Sequence, residues 1–459
     1  MKNGLFFSVF VLLLSASWAF AQQPEIQYYR PWDKTGINGF EPSKSAAQPA
    51  YTGFKIRIGG AFTQDFQSIT HSNVPTYKAV SPTNKTNANL LYNATAEGDS
   101  TDATLSGFNL AMANLNLDFQ IEDGIRVCLE NYMSSRHHSE FWVKGGYIQI
   151  DKLPMFGNPQ WYTDHLRVKI GHFQPNFGDM QFRRTDGGNT MYNPFVENYI
   201  MDAFSTEIGG EVYAFFGPVM GMVGITSGFI NGNVNQYPTT PVGTDVEPTE
   251  KKPSIFLKLA FDKQVNPNLR LRLSGSYYMN PSIQRNTLYA GDRTGSHYFL
   301  AMEPALTAGV ATAQGSQFTS GRFDPRFSNE VSTFMINPFV KFYGLEFFGA
   351  YEKAKGRLNS ERDGSERDFT QMAAELLYRF GSTEQFYLGG RYVQLTGTPF
   401  GFTDEVKIDR LAIAAGWFPS KNLLLKGEYV VQNFKDFPVN DYRNEGKFNG
   451  FVVEAVIGF

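Results

Sequence analysis

Several basic residues alternate with apolar residues along short segments of the chain. Arg270 and Arg272 alternate with leucines in LRLRLSGSYYM, and Lys258 stands between two leucines in IFLKLAF. Alternate side chains of a strand point to opposite faces, so these charges share the face opposite the apolar row. Rings of Arg and Lys around an aqueous passage favour anions. The predicted pore-lining residues are Arg167, Lys169, Lys258, Arg270, Arg272, Arg391 and Lys426.

Acidic residues occupy the same predicted face almost as often, among them Asp118, Glu211 and Glu375. Opposite charges across a lumen pair and cancel, so the basic bias is weak. Arg270 and Arg272 could equally hold the wall together by pairing with carboxylates on neighbouring strands. The pattern therefore indicates a general or mildly anion-preferring passage.

Two long polar and aromatic segments, 175–206 and 281–329, are candidates for a constriction. Connections this long without structure of their own are usually functional or disordered, and their aromatic, Asn and Gly content favours packed loops. A solvated surface position for their charges is the alternative. The candidate constriction residues are Arg183, Arg184, Asp186, Arg293 and Arg322.

Catalytic and cofactor chemistry has little support in the sequence. The chain has no G-x-S-x-G or H-E-x-x-H motif, and a catalytic site needs a nucleophile, a base and an orienting acid. The pair His137–His138 lacks a Cys or acidic cluster at ligand spacing, so we expect no metal, cofactor or catalytic residue. Cys128 is the only cysteine, and a net charge of -3 predicts no nucleic-acid partner.

Period-2 alternation runs through the whole chain and predicts an all-β protein. Tight turns such as Glu122-Asp123-Gly124 and Gly217-Pro218 alternate with long polar stretches, which is the pattern of a transmembrane barrel. We therefore predict an antiparallel up-and-down barrel of sixteen strands with long external loops. One connection, 152–164, breaks the tight-turn rule. The predicted strands are 54–66, 108–121, 125–135, 141–151, 165–174, 207–217, 219–229, 254–262, 268–280, 330–342, 345–355, 368–380, 385–395, 407–418, 423–433 and 447–459.

The two ends of the chain indicate its destination. Residues 1–21 have the basic start, the apolar run and the small-x-small end of a cleaved signal peptide. We expect 22–50 to be a short periplasmic segment and 51–459 to be the barrel. The last stretch, FNGFVVEAVIGF, has an apolar row ending at Phe459, a predicted signal for the barrel assembly machinery. A buried last strand of a β-sandwich is the alternative.

The passage LRVKIGHFQPNFGDMQFRR resembles the strand-then-loop sequence of the phosphate-selective porin O and P family. Gly171, Phe173, Phe177 and Gly178 match its G-x-F-x-x-P-F-G pattern, whereas Asn176 stands in place of the proline. The early PWDKTGINGFE also resembles porins of this wider group. The resemblance implies sixteen strands, a homotrimer, and passive diffusion of small solutes past inward-folded third and fifth loops.

These expectations combine into one predicted function. The chain should be an integral outer-membrane porin, in contact with outer-membrane lipid and lipopolysaccharide, with both termini periplasmic. Small hydrophilic solutes, including phosphate-like anions, would diffuse through it. Family members tuned for phosphate are expected to carry several lysines in the third loop, and 175–206 has none. The alternative is a barrel sealed by its loops that serves as an adhesin or as an assembly or structural partner.

Overall fold

A computed structural model of the chain shows a closed barrel of sixteen antiparallel strands. Each strand pairs with its neighbours in sequence, and the last strand pairs with the first through the register Asp65↔Glu454. The predicted fold class and strand number are therefore confirmed. The structure describes residues 23–74, 78–79, 85–86, 90–92, 103–135, 141–229, 251–290, 296–307, 310–311, 319–361, 364 and 366–459.

The barrel strands, in chain order, are β1 Lys55–Ser72, β2 Ala103–Glu122, β3 Ile125–Ser134, β4 Trp142–Ile150, β5 Leu166–Phe173, β6 Glu207–Phe216, β7 Val219–Thr226, β8 Ser254–Asn266, β9 Leu269–Asn280, β10 Glu330–Phe342, β11 Leu345–Arg357, β12 Arg367–Phe380, β13 Phe386–Gly397, β14 Val406–Ser420, β15 Leu423–Lys435 and β16 Lys447–Gly458. Two-residue ladders also join Lys78–Ala79 to Lys85–Thr86 and Leu306–Thr307 to Val310–Ala311.

Side chains alternate between the two faces of the barrel wall as the sequence predicts. On β8, Leu257 is 47% exposed on the outside, whereas the next residue, Lys258, is 3% exposed on the inside. The outward row of this strand is Ile255, Leu257, Leu259 and Phe261, all exposed. An apolar outer band around a polar interior is the pattern of a barrel that faces lipid. Across the described ranges, no helix is long and apolar enough to span a membrane.

The connections differ between the two ends of the barrel. Turns such as that between β6 and β7, at 217–218, are tight at one end, while the other end carries long loops including 174–206 and 281–329. The exceptional 151–165 connection at the tight-turn end contains a 3-10 turn, Pro154–Phe156, and a helix, α1, Gln160–His165.

The first hairpin is longer than the sequence predicts. Strand β1 continues six residues past the expected end at 66, and β2 begins five residues before 108. Hydroxyl side chains interrupt the apolar alternation there, but the backbone ladder continues. Ser68 lies 2.8 Å from Ser106 and Thr70 lies 2.6 Å from Thr104, oxygen to oxygen, across the two strands. Cross-strand hydroxyl pairs of this kind stabilise a sheet.

Candidate channel interior

The segment before the first strand lies across the tight-turn end of the barrel. Its 3-10 turn, Lys34–Gly36, is fixed by a hydrogen bond from the Lys34 amide to the Lys421 carbonyl at 2.8 Å. Arg30 donates to Asn189 Oδ1 at 2.6 Å and lies 4.3 Å above the ring of Tyr192. The segment therefore packs against both the turns and the loop between β5 and β6.

A buried ionic cluster joins this segment to the wall. Arg272 on β9 binds Glu41 at 2.8 Å and Asp179 through two contacts of 2.8 Å, and Lys258 lies 3.0 Å from Glu41 and 2.8 Å from Asp179. Burial alone would raise the pKa of Glu41, but Arg272 and Lys258 outweigh it and lower that pKa to about 2. The same two cations hold the pKa of Asp179 below its usual range. Both carboxylates therefore stay ionised inside the barrel.

The loop between β5 and β6, residues 174–206, is packed inside the barrel. Arg183 donates to Glu375 Oε2 on β12 at 2.9 Å and lies 4.1 Å above the ring of Phe348. Arg184 pairs with Asp202 in the same loop, 2.5 Å apart, and lies 4.2 Å above Phe204. Arg183 and Arg184, two of the candidate constriction residues, are both buried. Their charges hold the loop to the wall and to itself.

The other candidate constriction residues are placed differently. The backbone of Asp186 forms the 3-10 turn Thr185–Gly187, and its side chain lies outside the description. Arg293 lies outside the described residues. Arg322 lies 3.7 Å from Asp202, so its guanidinium faces the same carboxylate as Arg184. The role of all five in a constriction remains a prediction.

The predicted pore-lining residues all point into the barrel, and most are covered. Arg391 donates to Glu375 Oε1 at 2.9 Å and to the Glu197 carbonyl at 2.5 Å. Lys426 donates to the Phe195 carbonyl at 2.8 Å and pairs with Glu454 at 2.5 Å. Loop backbone therefore caps these wall cations.

The remaining pore-lining candidates lie toward the tight-turn end or on β5. Arg270 donates two hydrogen bonds to the carboxylate of Asp262, at 2.9 and 2.8 Å, and Arg167 donates to Asp151 at 2.8 Å. Lys169 has the longest ion pair of the set, 3.6 Å to Glu211, and its side chain keeps 16% of its surface exposed. Its ammonium also lies above two aromatic rings at 4.5 and 4.2 Å.

The described parts of the loop between β9 and β10 also lie inside the barrel. Tyr289 donates to Glu352 on β11 at 2.7 Å, and the Tyr298 hydroxyl contacts Glu428 on β15 at 2.5 Å. Tyr289, Tyr298 and Leu288 belong to a buried apolar cluster that also contains residues of the 174–206 loop. The two long loops thus share one core within the lumen.

Open space remains along the wall formed by β2 to β6. A cavity of about 180 Å³ lies there, which we call the wall cavity. Its basic lining residues are Arg30, Arg126, Lys144, Arg167 and Lys169, and its acidic ones are Glu41, Asp118 and Glu130. The aromatic side chains of Trp32 and Tyr147 also line it. Cys128, buried with a free thiol, lies on the same wall.

A second cavity of about 460 Å³ opens beside the turn at 217–218, and we call it the mouth cavity. Asp262, Arg270 and Arg272 line it from the wall. The residues that line both cavities are Tyr29, Arg30, Phe40, Glu41 and Pro42. The segment before β1 therefore stands between the two spaces.

Sequence reasoning did not single out Glu41 or Asp179 as partners of the predicted pore-lining cations. Glu41 is 231 residues from Arg272 along the chain, and Asp179 is 93 residues from it. One available signal was that the third loop carries acidic residues as well as Arg183 and Arg184. Another was that basic residues only slightly outnumber acidic ones on the predicted inward face.

Comparison with known proteins finds no matching family model and no matching curated protein. Among solved structures, the anion-selective porin from Comamonas acidovorans is similar at 11% identity and a TM-score of 0.49, covering 88% of this chain and all of that chain. The outer-membrane channel DcaP of Acinetobacter baumannii has 11% identity and a TM-score of 0.46, covering 90% and 100%. OmpF of Salmonella typhi has 10% identity and a TM-score of 0.45, covering 89% and 99%. The barrel assignment itself rests on the strand pairing above.

Proposed function

We propose that this protein is an outer-membrane porin that lets small hydrophilic solutes diffuse through a narrow passage. The observation that carries the proposal is a closed sixteen-stranded barrel with an apolar outer band and a charged interior. Sixteen strands enclose a lumen too wide for wall side chains alone to fill. The tight turns and both termini would face the periplasm and the long loops the exterior.

The route of the solute would follow the wall cavity and then the mouth cavity. The two spaces share lining residues of the segment before β1, so a modest movement of that segment would join them. Five basic against three acidic residues line the wall cavity. Such a lining favours small anions mildly, including phosphate-like anions, because ion preference follows the sign of the charges along the pore.

Single-channel recording of the detergent-folded protein in asymmetric KCl tests both parts of this proposal. Discrete conductance steps support a channel, and a reversal potential on the chloride side supports the anion preference. A reversal potential on the potassium side would remove the anion preference and leave the channel intact.

A loop-sealed barrel that acts as an adhesin or as an assembly or structural partner is the second candidate. It is favoured by the burial of Lys258, Arg391 and Lys426 beneath loop backbone or beneath carboxylates of the loops. Liposome swelling with sugars of graded size separates the two functions. A porin gives swelling rates that fall with sugar size, whereas a sealed barrel passes none.

The proposed partners follow from the location. Outer-membrane lipid and lipopolysaccharide would contact the apolar band, and the barrel assembly machinery would recognise β16 together with Phe459. The resemblance to the phosphate-selective porin O and P family supports a homotrimer. Light scattering of the detergent-solubilised protein, with the detergent mass subtracted, gives three chains per particle if the trimer forms.

A further inference from the structure

Strands β1 and β16 pair to close the barrel, and we call this pairing the seam. It carries two acidic side chains opposite each other. Asp65 on β1 and Glu454 on β16 are direct register partners, and both side chains are fully buried inside the barrel. Like charges opposite each other on neighbouring strands are destabilising. A buried carboxylate also needs a partner charge or hydrogen bonds. This position therefore calls for positive charge.

His297, from the loop between β9 and β10, lies over the seam. Its Nδ1 is 2.9 Å from Asp65 Oδ2 and 2.9 Å from Glu454 Oε2. The backbone holds the imidazole there, because the His297 amide donates to Glu197 Oε2 at 2.7 Å and its carbonyl accepts from Asn109 at 2.7 Å. Three chain segments thus bring one nitrogen and two oxygens together.

A single N–H cannot satisfy both carboxylates. Nδ1 is equally far from Asp65 Oδ2 and Glu454 Oε2, and Asp65 Oδ1 has no hydrogen-bond partner within the described part of the chain. Lys426 does not supply a partner for Asp65, because it contacts the other oxygen of Glu454 at 2.5 Å and donates to loop carbonyls. A fully buried carboxylate without a donor is costly, so a further cation or proton belongs beside it.

The local field favours a positive charge at the imidazole. Asp65 Oδ2 and Glu454 Oε2 each lie 2.9 Å from Nδ1, so two negative charges converge on that nitrogen. A neutral imidazole turns its Nδ1 lone pair toward the two carboxylates. A metal cation bound by that lone pair would therefore lie next to both negative charges. The candidate ligand atoms all lie within 4.8 Å of one another. The two separations of 2.9 Å from Nδ1 are short enough for one metal to bind that nitrogen and a carboxylate oxygen together, with each atom about 2.0–2.2 Å from it, the usual range for zinc.

We propose that Asp65, His297 and Glu454 form a binding site for a divalent transition-metal cation such as Zn²⁺. The bound cation neutralises the paired carboxylates of the seam. It also fastens the loop between β9 and β10 to the first and last strands. Nitrogen and carboxylate ligands suit Zn²⁺, and oxygen-only cations such as Mg²⁺ are disfavoured by the imidazole.

Refolding with and without metal tests the site. Because the cluster is fully buried, the protein, without a polyhistidine tag, is refolded from urea into detergent with excess Zn²⁺ and then desalted. The metal content of the desalted protein, measured by elemental mass spectrometry, should be one Zn²⁺ per folded chain. The urea midpoint of unfolding should rise relative to protein refolded with EDTA. Less than half an equivalent of bound Zn²⁺ in the wild-type protein overturns the proposal, and it is the result that a shared proton predicts.

Variants locate the binding. Asp65→Asn and His297→Gln should each weaken Zn²⁺ binding by more than about tenfold, since loss of even an outer partner costs a metal site about 10–100-fold. His165→Gln, in α1 at the tight-turn end of the barrel, is the matched control and should bind like wild type. If a single variant fails to fold, the double variant Asp65→Asn/His297→Gln removes the charge together with its partner. Unchanged Zn²⁺ binding by the folded variants overturns the assignment.

Discussion

Basic residues inside the barrel are held in two different ways. On β8, β13 and β15, the side chains of Lys258, Arg391 and Lys426 are at most 2% exposed and are covered by carboxylates or loop backbone. On β5, Lys169 keeps 16% of its side chain exposed and its nearest carboxylate is 3.6 Å away. A charge on the inner face is therefore not enough to reach a solute. Side-chain exposure and the distance to the nearest carboxylate separate Lys169 from the covered cations.

The largest expected effect is on the covered side. Asp179→Ala removes the carboxylate that binds both Lys258 and Arg272 and leaves them with Glu41 as a shared buried partner. Breaking a buried ion pair by removing one partner costs about 3–5 kcal/mol. We expect a loss of this size in the free energy of unfolding, measured by urea titration of the detergent-folded barrel.

Asp368→Ala is the matched control for that loss. Asp368 pairs with Lys353 at 3.3 Å, but the two side chains are 50% and 37% exposed. Exposed pairs contribute about 0–1 kcal/mol, so this variant should unfold almost like wild type. Equal losses in the two variants would remove the distinction between covered and solvated charges.

The next effect concerns the open side and changes selectivity, not stability. Lys169→Glu changes the lining of the wall cavity from five basic and three acidic residues to four of each. The reversal potential in asymmetric KCl should move toward potassium. Lys263→Glu, on the exposed outer face near the end of β8, makes the same charge change away from the cavity and should leave it unmoved. If Lys263→Glu moved the reversal potential by the same amount, the ions would not be passing through the wall cavity.

The smallest effect is the pH dependence of the buried ionic cluster that contains Glu41. The folded-state pKa of Glu41 is about 2, below its ordinary value of 4.5. A group with a depressed folded pKa contributes stability above its unfolded pKa and loses it as the pH falls through the folded one. The urea midpoint should therefore fall between about pH 4.5 and pH 2, and Glu41→Gln should flatten that dependence. An unchanged pH profile in this variant would mean that Glu41 does not carry the ionic contribution assigned to it.

Local patterns predicted the wall but not what fills it. Alternation such as Leu257 with Lys258, and turn residues such as Gly217-Pro218, are properties of a few neighbouring residues, and they sufficed for sixteen strands and for the inward row. The partners of that row come from far along the chain. Glu375, for example, receives Arg183 from 192 residues away, and His297 meets Glu454 across 157 residues. No periodicity encodes such pairings, so covered and open cations could not be told apart.

The most direct test of the account is to ask which side of the interior a hydrophilic reagent reaches. In a Cys128→Ser background, Lys169→Cys places a thiol in the wall cavity, and Ser274→Cys places one beneath the third loop on the covered side, where Ser274 is 1% exposed. A negatively charged methanethiosulfonate added during recording should reduce the conductance of Lys169→Cys and leave Ser274→Cys unchanged. Equal block of both, or block of Ser274→Cys alone, would contradict a passage along the wall of β2 to β6.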